Sequence, residues 1–326
     1  MKERLVYLDY ARVFCAFLVI YGHLYAYNPD NYVRVVIYFF HMPFFFLISG
    51  MLHSYRGGEI QLKKYAKTLL IPMVFFSVFS GLVIGTFYHF FTEKDVCGDT
   101  LIQTLCNHFY SSFVKMFKGK AFLSGPCWFL WVLFFCKIIT DIIQKNRIIG
   151  TAITLILFCI SLKHFRYLFI GNIGMAMPIY LFGFYFKDRI KDIVYTKTNP
   201  AIYILLIAVF VAIIYKLKVV SMFGVNYGHI MFPLNLIGFW INGLIGSYFV
   251  LKVSSIFDKE TYYSKIAYSL ITILGLQFPI FIIPQTIYGT DWNYFLSIPI
   301  ALVILFICHY SHKLIEKYIP FVLGKF

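Results

Sequence analysis

YLDYARVFCAFLVIYGH, Tyr7–His23, sets an aspartate, an arginine and a histidine inside a run that is otherwise aliphatic and aromatic. As a helix, at about 1.5 Å per residue, the run is long enough to cover most of a bilayer's hydrocarbon core. A charged group at the centre of such a helix costs roughly 2.5 to 3.5 kcal/mol on insertion scales, so Asp9, Arg12 and His23 should face a protein interior or a wet cavity. The rest of the chain has the same character. Of its 326 residues 60% are hydrophobic and 13% charged, too few charges to cover a soluble domain of this size. The expected fold is all-α, a polytopic integral membrane helical bundle. A net charge of +15 would suggest nucleic acid as partner to a soluble chain. Here Lys and Arg read instead as loop residues that set topology and face anionic headgroups, so membrane lipids are the expected partner and no nucleic acid is.

Charge bursts and Asn/Pro/Gly clusters divide the chain into about ten transmembrane segments: 7–27, 33–52, 68–91, 124–143, 147–162, 169–186, 200–216, 228–251, 263–284 and 292–310. The first reads as a retained span, since aromatic residues rather than a small-residue cleavage site follow its apolar core. With the N-terminus inside, eighteen basic residues fall on the inner side and nine, including Arg34, Lys94, Lys163 and Arg166, on the outer. That bias places both termini in the cytoplasm. The longest connection, Thr92–Lys120, is then exported and suits either a lid or a solvated loop. Residues 1–326 read as a single transmembrane domain without repeats. Of seven cysteines, only Cys97 and Cys106 share a polar loop and are placed to bridge.

Arg12 and His23 are eleven residues apart, which brings a helix back to within about 20° of its starting direction, so the two share a face. They are separated by about 16 Å along the axis. This suits an elongated ligand held at one end by a permanent cation and processed at the other by a titratable base. Asp9, three residues before Arg12, can pair with it. The residues alone equally allow an interfacial Asp9–Arg12 anchor and a structural hydrogen bond at His23. The next segment carries FFHMPFFFLISG, Phe39–Gly50. Pro43 loosens the turn before it beside His41, and Ser49 and Gly50 allow close helix approach. Trp128 and Trp131 read as an outer aromatic belt, with substrate stacking the alternative role for Trp128. No metal site is indicated: His309 and His312 lack a neighbouring carboxylate or cysteine set and read as interfacial.

LDYAR with a histidine eleven residues after its arginine, FHMPFFFLISG, and the basic lead-in KKYAKTLLIP at Lys63–Pro72 together resemble the membrane-bound acyltransferase 3 family. The likeness is to its short members similar to fucose 4-O-acetylases. GPCWFLWVLFF and LFGFYFKDR are similar in spirit. The resemblance implies about ten spans and transfer of an acyl group, most often acetyl from acetyl-CoA, to a hydroxyl of a cell-surface or lipid-linked saccharide. It implies His23 as the catalytic histidine and Arg12 as the functional arginine of an R-x10-H signature, with Lys63, Lys64 and Lys67 as donor-binding cations. His41 is the candidate second imidazole. Asp9, Pro43, Ser49 and Trp128 are supporting residues. Relatives often carry a histidine where LGLQFPI has Gln277. No permanently bound cofactor is implied, and the location implied is a bacterial inner or plasma membrane. Three rivals remain. One is an O-succinyltransferase, for which Arg34, Lys163 and Arg166 are the candidate cations near His23. The others are a glycan or lipid transporter or flippase and a non-catalytic assembly partner.

Overall fold

A computed structural model describes residues 5–24, 32–55, 59–91, 100–119, 125–162, 167–217, 234–288 and 294–325. Every regular element among them is helical. In chain order these are α1 Val6–Leu24, α2 Tyr32–Met51 and α3 Leu62–Tyr65, which runs through a π turn at Ala66–Leu70 into α4 Ile71–Phe91. Then come α5 Leu101–Phe117, α6 Trp128–Lys145, α7 Arg147–Leu162, α8 Ile170–Tyr195, α9 Pro200–Leu217 and α10 Leu234–Ser254. The last are α11 Tyr262–Ile266, α12 Leu270–Tyr288 and α13 Tyr294–Tyr318.

Each of the ten segments expected from the sequence coincides with one of these helices. By length and composition, seven stretches can cross a membrane: Tyr32–Met51, Leu62–Phe91, Gly125–Lys145, Tyr167–Tyr195, Leu236–Ser254, Tyr262–Ile282 and Leu296–Tyr318. α1 falls outside that set because Asp9, Arg12 and His23 hold down its mean hydropathy, and α7 and α9 are shorter. The architecture is that of a multi-pass membrane protein.

α2 is the centre of the bundle, and glycines put it there. A Cβ at Gly50 would lie 2.0 Å from the carbonyl oxygen of Tyr180 on α8, and one at Gly183 of α8 would lie 2.1 Å from the carbonyl oxygen of Leu47. The two backbones therefore touch reciprocally, which only hydrogen-sized side chains allow. On the other flank Gly243 and Gly246 of α10 admit Pro43 and Phe40 of α2. Pro43 sits inside a helix that continues through it. The end of α2 is tied by polar contacts. His53 Nε2 donates to Asp141 Oδ1 of α6 at 3.0 Å, and the Tyr180 hydroxyl donates to His53 Nδ1 at 2.7 Å. Asp141 Oδ2 accepts the Gln61 backbone N–H at 3.0 Å. Both side chains of the pair are fully buried.

Several expectations change. Part of the Thr92–Lys120 connection is α5, begun by a capping box in which Thr100 and Gln103 satisfy each other's backbone N–H groups. Its apolar residues recur at helical spacing, and Leu105 packs where Gly85 of α4 leaves room. His309 and His312 are buried rather than interfacial, with Nδ1 atoms 2.7 Å from Ser269 Oγ and 2.8 Å from Thr272 Oγ1. Trp128 is 5% exposed and stacks on Phe169 instead of standing in an aromatic belt. Lys94, Cys97, Lys120, Lys163, Arg166 and Lys218 lie outside the described residues, and with them the Cys97–Cys106 candidate bridge. After α13, Val322 and Leu323 are buried, and Gly324, at φ 72°, lets the chain lie against the π turn. A Cβ there would be 2.5 Å from the Lys67 carbonyl oxygen.

Two outcomes follow for the detergent-solubilised protein. Gly50→Ala and Gly183→Ala should each destabilise it by about 1 to 3 kcal/mol, since overpacking at a backbone contact cannot relax; thermal unfolding checks this, and an unchanged midpoint would contradict the close crossing. Burial, with the Lys137 ammonium nearby, pushes the His53 imidazole down to about 4 from its ordinary 6.5. The unfolded chain takes up that proton first, so this contribution to stability is whole above pH 6.5 and is lost as pH falls from 6.5 towards 4. His53→Asn should flatten the unfolding midpoint across that window.

Candidate active site

α1 is held at both ends. Near its start the Tyr10 hydroxyl donates to the Lys259 carbonyl oxygen at 3.1 Å and lies 2.6 Å from Thr261 Oγ1. Near its end Gln285 Nε2 donates to the Leu24 carbonyl oxygen at 2.9 Å and reaches that of His23 at 3.4 Å. Between these pins Arg12 Nη1 stands 3.2 Å from Asp9 Oδ1, the pairing its spacing predicts.

Beside α1 runs a cavity of about 530 Å³ whose walls come from α1, α2, α6, α12 and the π turn. Arg12 and His23 both line it. The two groups therefore share a passage as well as a helix face. At the Arg12 end the wall includes Leu52, Leu69, Leu270 and Lys137. At the His23 end it includes Arg34, Tyr38, Gln277, Phe281, Pro126 and Trp128. The remaining lining is mostly apolar, which keeps bulk water from competing for the polar groups and strengthens their fields.

The His23 end is built around Tyr38. Its ring meets the His41 imidazole edge-on at 4.9 Å between centroids and the His23 imidazole at 6.1 Å. Arg34 Cζ lies 4.8 Å from the same ring, a geometry in which the aromatic face supports a cation away from water. His41 Nδ1 is 2.8 Å from the Ile37 carbonyl oxygen. A carbonyl only accepts, so this nitrogen carries the hydrogen and neutral His41 keeps its lone pair on Nε2. His23 Nδ1 and Gln277 Oε1 are buried without a hydrogen bond of full geometry, and the Gln277 side chain lies beside the His23 imidazole. Such atoms carry a desolvation cost that a hydroxyl-bearing ligand would relieve.

Of the residues singled out in the sequence, Arg12, His23, His41, Ser49 and Trp128 come together on this cavity. Asp9 reaches it through Arg12. Lys63 and Lys64 are exposed on α3 and Lys67 is half-buried in the π turn, all beyond the Arg12 end. Pro43 faces Gly243 of α10 instead. Tyr10 is spent on anchoring α1. The reading of the sequence assigned no role to Lys137 and set Gln277 aside as a departure, yet both line the cavity. Lys137 was open to the argument used for Arg12: it is a lone cation in the apolar run WFLWVLFFCKII.

Comparisons with known proteins place the chain in a family. A curated relative, the nodulation protein NolL of Sinorhizobium fredii, is 25% identical over 213 residues, covering 59% of this chain and 51% of that protein. The chain thus spans about half the length of this relative. No solved structure matches the chain. The family described as an acyltransferase domain matches residues 5–308, which take in the whole of α1 and every wall of the cavity. The chain belongs to this acyltransferase family.

Proposed function

We propose that the protein is an integral membrane O-acyltransferase that moves an acetyl group from cytoplasmic acetyl-CoA to a hydroxyl of a cell-surface or lipid-linked saccharide. In this reading all ten long helices other than α5 cross the membrane, and the start of α1 and the end of α13 lie on the cytoplasmic side. The observation that carries it is the single cavity with Arg12 at one end and His23 at the other. Coenzyme A has the matching form: phosphates at one end, a thin arm, and a thioester at the other. Its phosphates meet Arg12, with Lys63, Lys64 and Lys67 drawing them in from the cytoplasm. Its arm lies along α1.

At the far end the acceptor hydroxyl donates to neutral His23, and a neighbouring polar hydrogen of the acceptor satisfies Gln277 Oε1. His23 takes the hydroxyl proton as the oxygen attacks the thioester carbonyl carbon. The negative charge that develops on the carbonyl oxygen is stabilised by Arg34, held against Tyr38. The intermediate then collapses: the carbon–sulfur bond breaks, the ester is left on the acceptor, and the departing thiolate takes the proton back from His23. His41, with its lone pair on Nε2, orients the acceptor.

Arg34 also favours a second reading. A permanent cation beside the reacting end suits an acidic acyl group, as in an O-succinyltransferase.

His23→Ala should lower acyl transfer from radiolabelled acetyl-CoA to cell-envelope extract by about 10² to 10⁴-fold, the usual contribution of a general base, with an unchanged unfolding midpoint. Undiminished labelling would sink the mechanism, and glycan movement without release of coenzyme A would point to a flippase. Arg34→Gln separates the two donors. If the acyl group is acidic, the variant loses kcat/KM for succinyl-CoA far more than for acetyl-CoA, whereas equal losses mark Arg34 as an oxyanion group.

A further inference from the structure

Lys137 is a cation within the membrane-crossing stretch Gly125–Lys145, where an ammonium group is expensive. Along α6 it lies nine residues from Trp128, about 13 Å by helical rise, which carries the cavity wall from the His23 end to the Arg12 end. Its described support is thin. Nζ stands 5.4 Å from the centre of the Tyr65 ring. Asp141, one turn further along α6, is the nearby carboxylate, but both its oxygens are engaged, one by His53 and the other by the Gln61 N–H. Among the described residues no carboxylate is within ion-pair distance of Lys137. A second ammonium adds to the imbalance. Lys64 acts on Lys137 as a like charge, and its Nζ donates to Gln61 Oε1 at 3.0 Å. Gln61 is itself held by its side-chain bond to the Ser54 carbonyl oxygen and by Asp141.

Two ammonium groups thus lie in one neighbourhood, where the single carboxylate, Asp141, already holds His53 and the Gln61 N–H, and one of the two, Lys137, faces into an apolar cavity. A lysine needed only to neutralise Asp141 would bond to it. One aimed along a passage is fitted to a compact, multiply charged oxyanion, for which lysine acts as a point-charge ligand.

We infer that Lys137, assisted by Lys64, forms an anion subsite in a wall of the cavity separate from Arg12 and takes phosphate groups of the acyl donor, with His53 and Asp141 as the positioning pair. The inference rests on the coenzyme A reading above. With the phosphates drawn this far in, between α1 and α6, the thioester is carried up to His23 instead of stopping at the membrane surface.

The test uses the full chain in detergent, with coenzyme A and pantetheine, which lacks the phosphates, as probes in titration calorimetry. Lys137→Met should weaken coenzyme A binding about tenfold or more, the scale of one charge-assisted hydrogen bond, and leave pantetheine binding unchanged. Lys137→Arg should restore most of the loss. Lys64→Gln, at an exposed position where folding is not at risk, should shift coenzyme A binding in the same direction by a smaller factor. Unchanged coenzyme A affinity in Lys137→Met, or equal losses for the two probes, would overturn the subsite while leaving the acyltransferase reading in place. A wild-type chain that binds no coenzyme A would remove both.

Discussion

A charge inside hydrocarbon must find either a partner or water, and in this protein that requirement turns a set of scattered polar residues towards one another. Arg12 and His23 on α1, Arg34 and His41 on α2, Lys137 on α6 and Gln277 on α12 come from four helices and meet along one cavity. None would be tolerated facing lipid tails. The apolar lining of the cavity is the other half of the arrangement. It makes each remaining polar group act at short range in a medium of low dielectric, where a fixed cation or an imidazole has more influence on a passing ligand than it would in water.

The same requirement explains why the bundle packs so closely around α2. Lipid tails offer no hydrophobic gain for helix association, so contact area and backbone proximity must supply it. Gly50 and Gly183 bring α2 and α8 into backbone contact, and Gly243 and Gly246 of α10 make room for the side chains of Pro43 and Phe40. With both flanks fixed, the remaining face of α2 is left for Arg34, Tyr38, His41, Phe45 and Ser49 to line the cavity. The buried His53–Asp141 contact finishes the helix by joining its end to α6. Packing and chemistry use different faces of one element.

Much of this was legible in the chain itself. Helix class and the approximate place of the long helices follow from apolar runs of membrane length, and the Arg12–His23 face follows from eleven residues of helical geometry. Local pattern also predicted the Asp9–Arg12 pair. What escaped was of two kinds. Contacts between distant segments, such as His53 with Asp141 and Tyr180, leave no trace in spacing, and His53 falls just past the end of the apolar run 33–52. The inward turn of Gln277 and Lys137 was hidden for another reason. Each sits where the local sequence allows either a lipid-edge or an interior position, and only the neighbouring helices decide. Trp128 was misread as a belt residue for the same reason, and α5 because a short capped helix in a polar connection resembles a loop until its apolar stripe finds α4.

The double anchoring of α1, by Tyr10 at one end and Gln285 at the other, carries an implication for selectivity. Arg12 and His23 ride on one helix, so helical rise sets their interval, and the two pins keep that helix in register with the other walls of the cavity. On the proposed reading the helix then serves as a gauge: carriers whose reach matches the interval would present their carbonyl at His23, and those too short or too long would not. Discrimination by reach would need no closing motion, and α2, another wall of the cavity, is itself held fast against α8 by backbone contact.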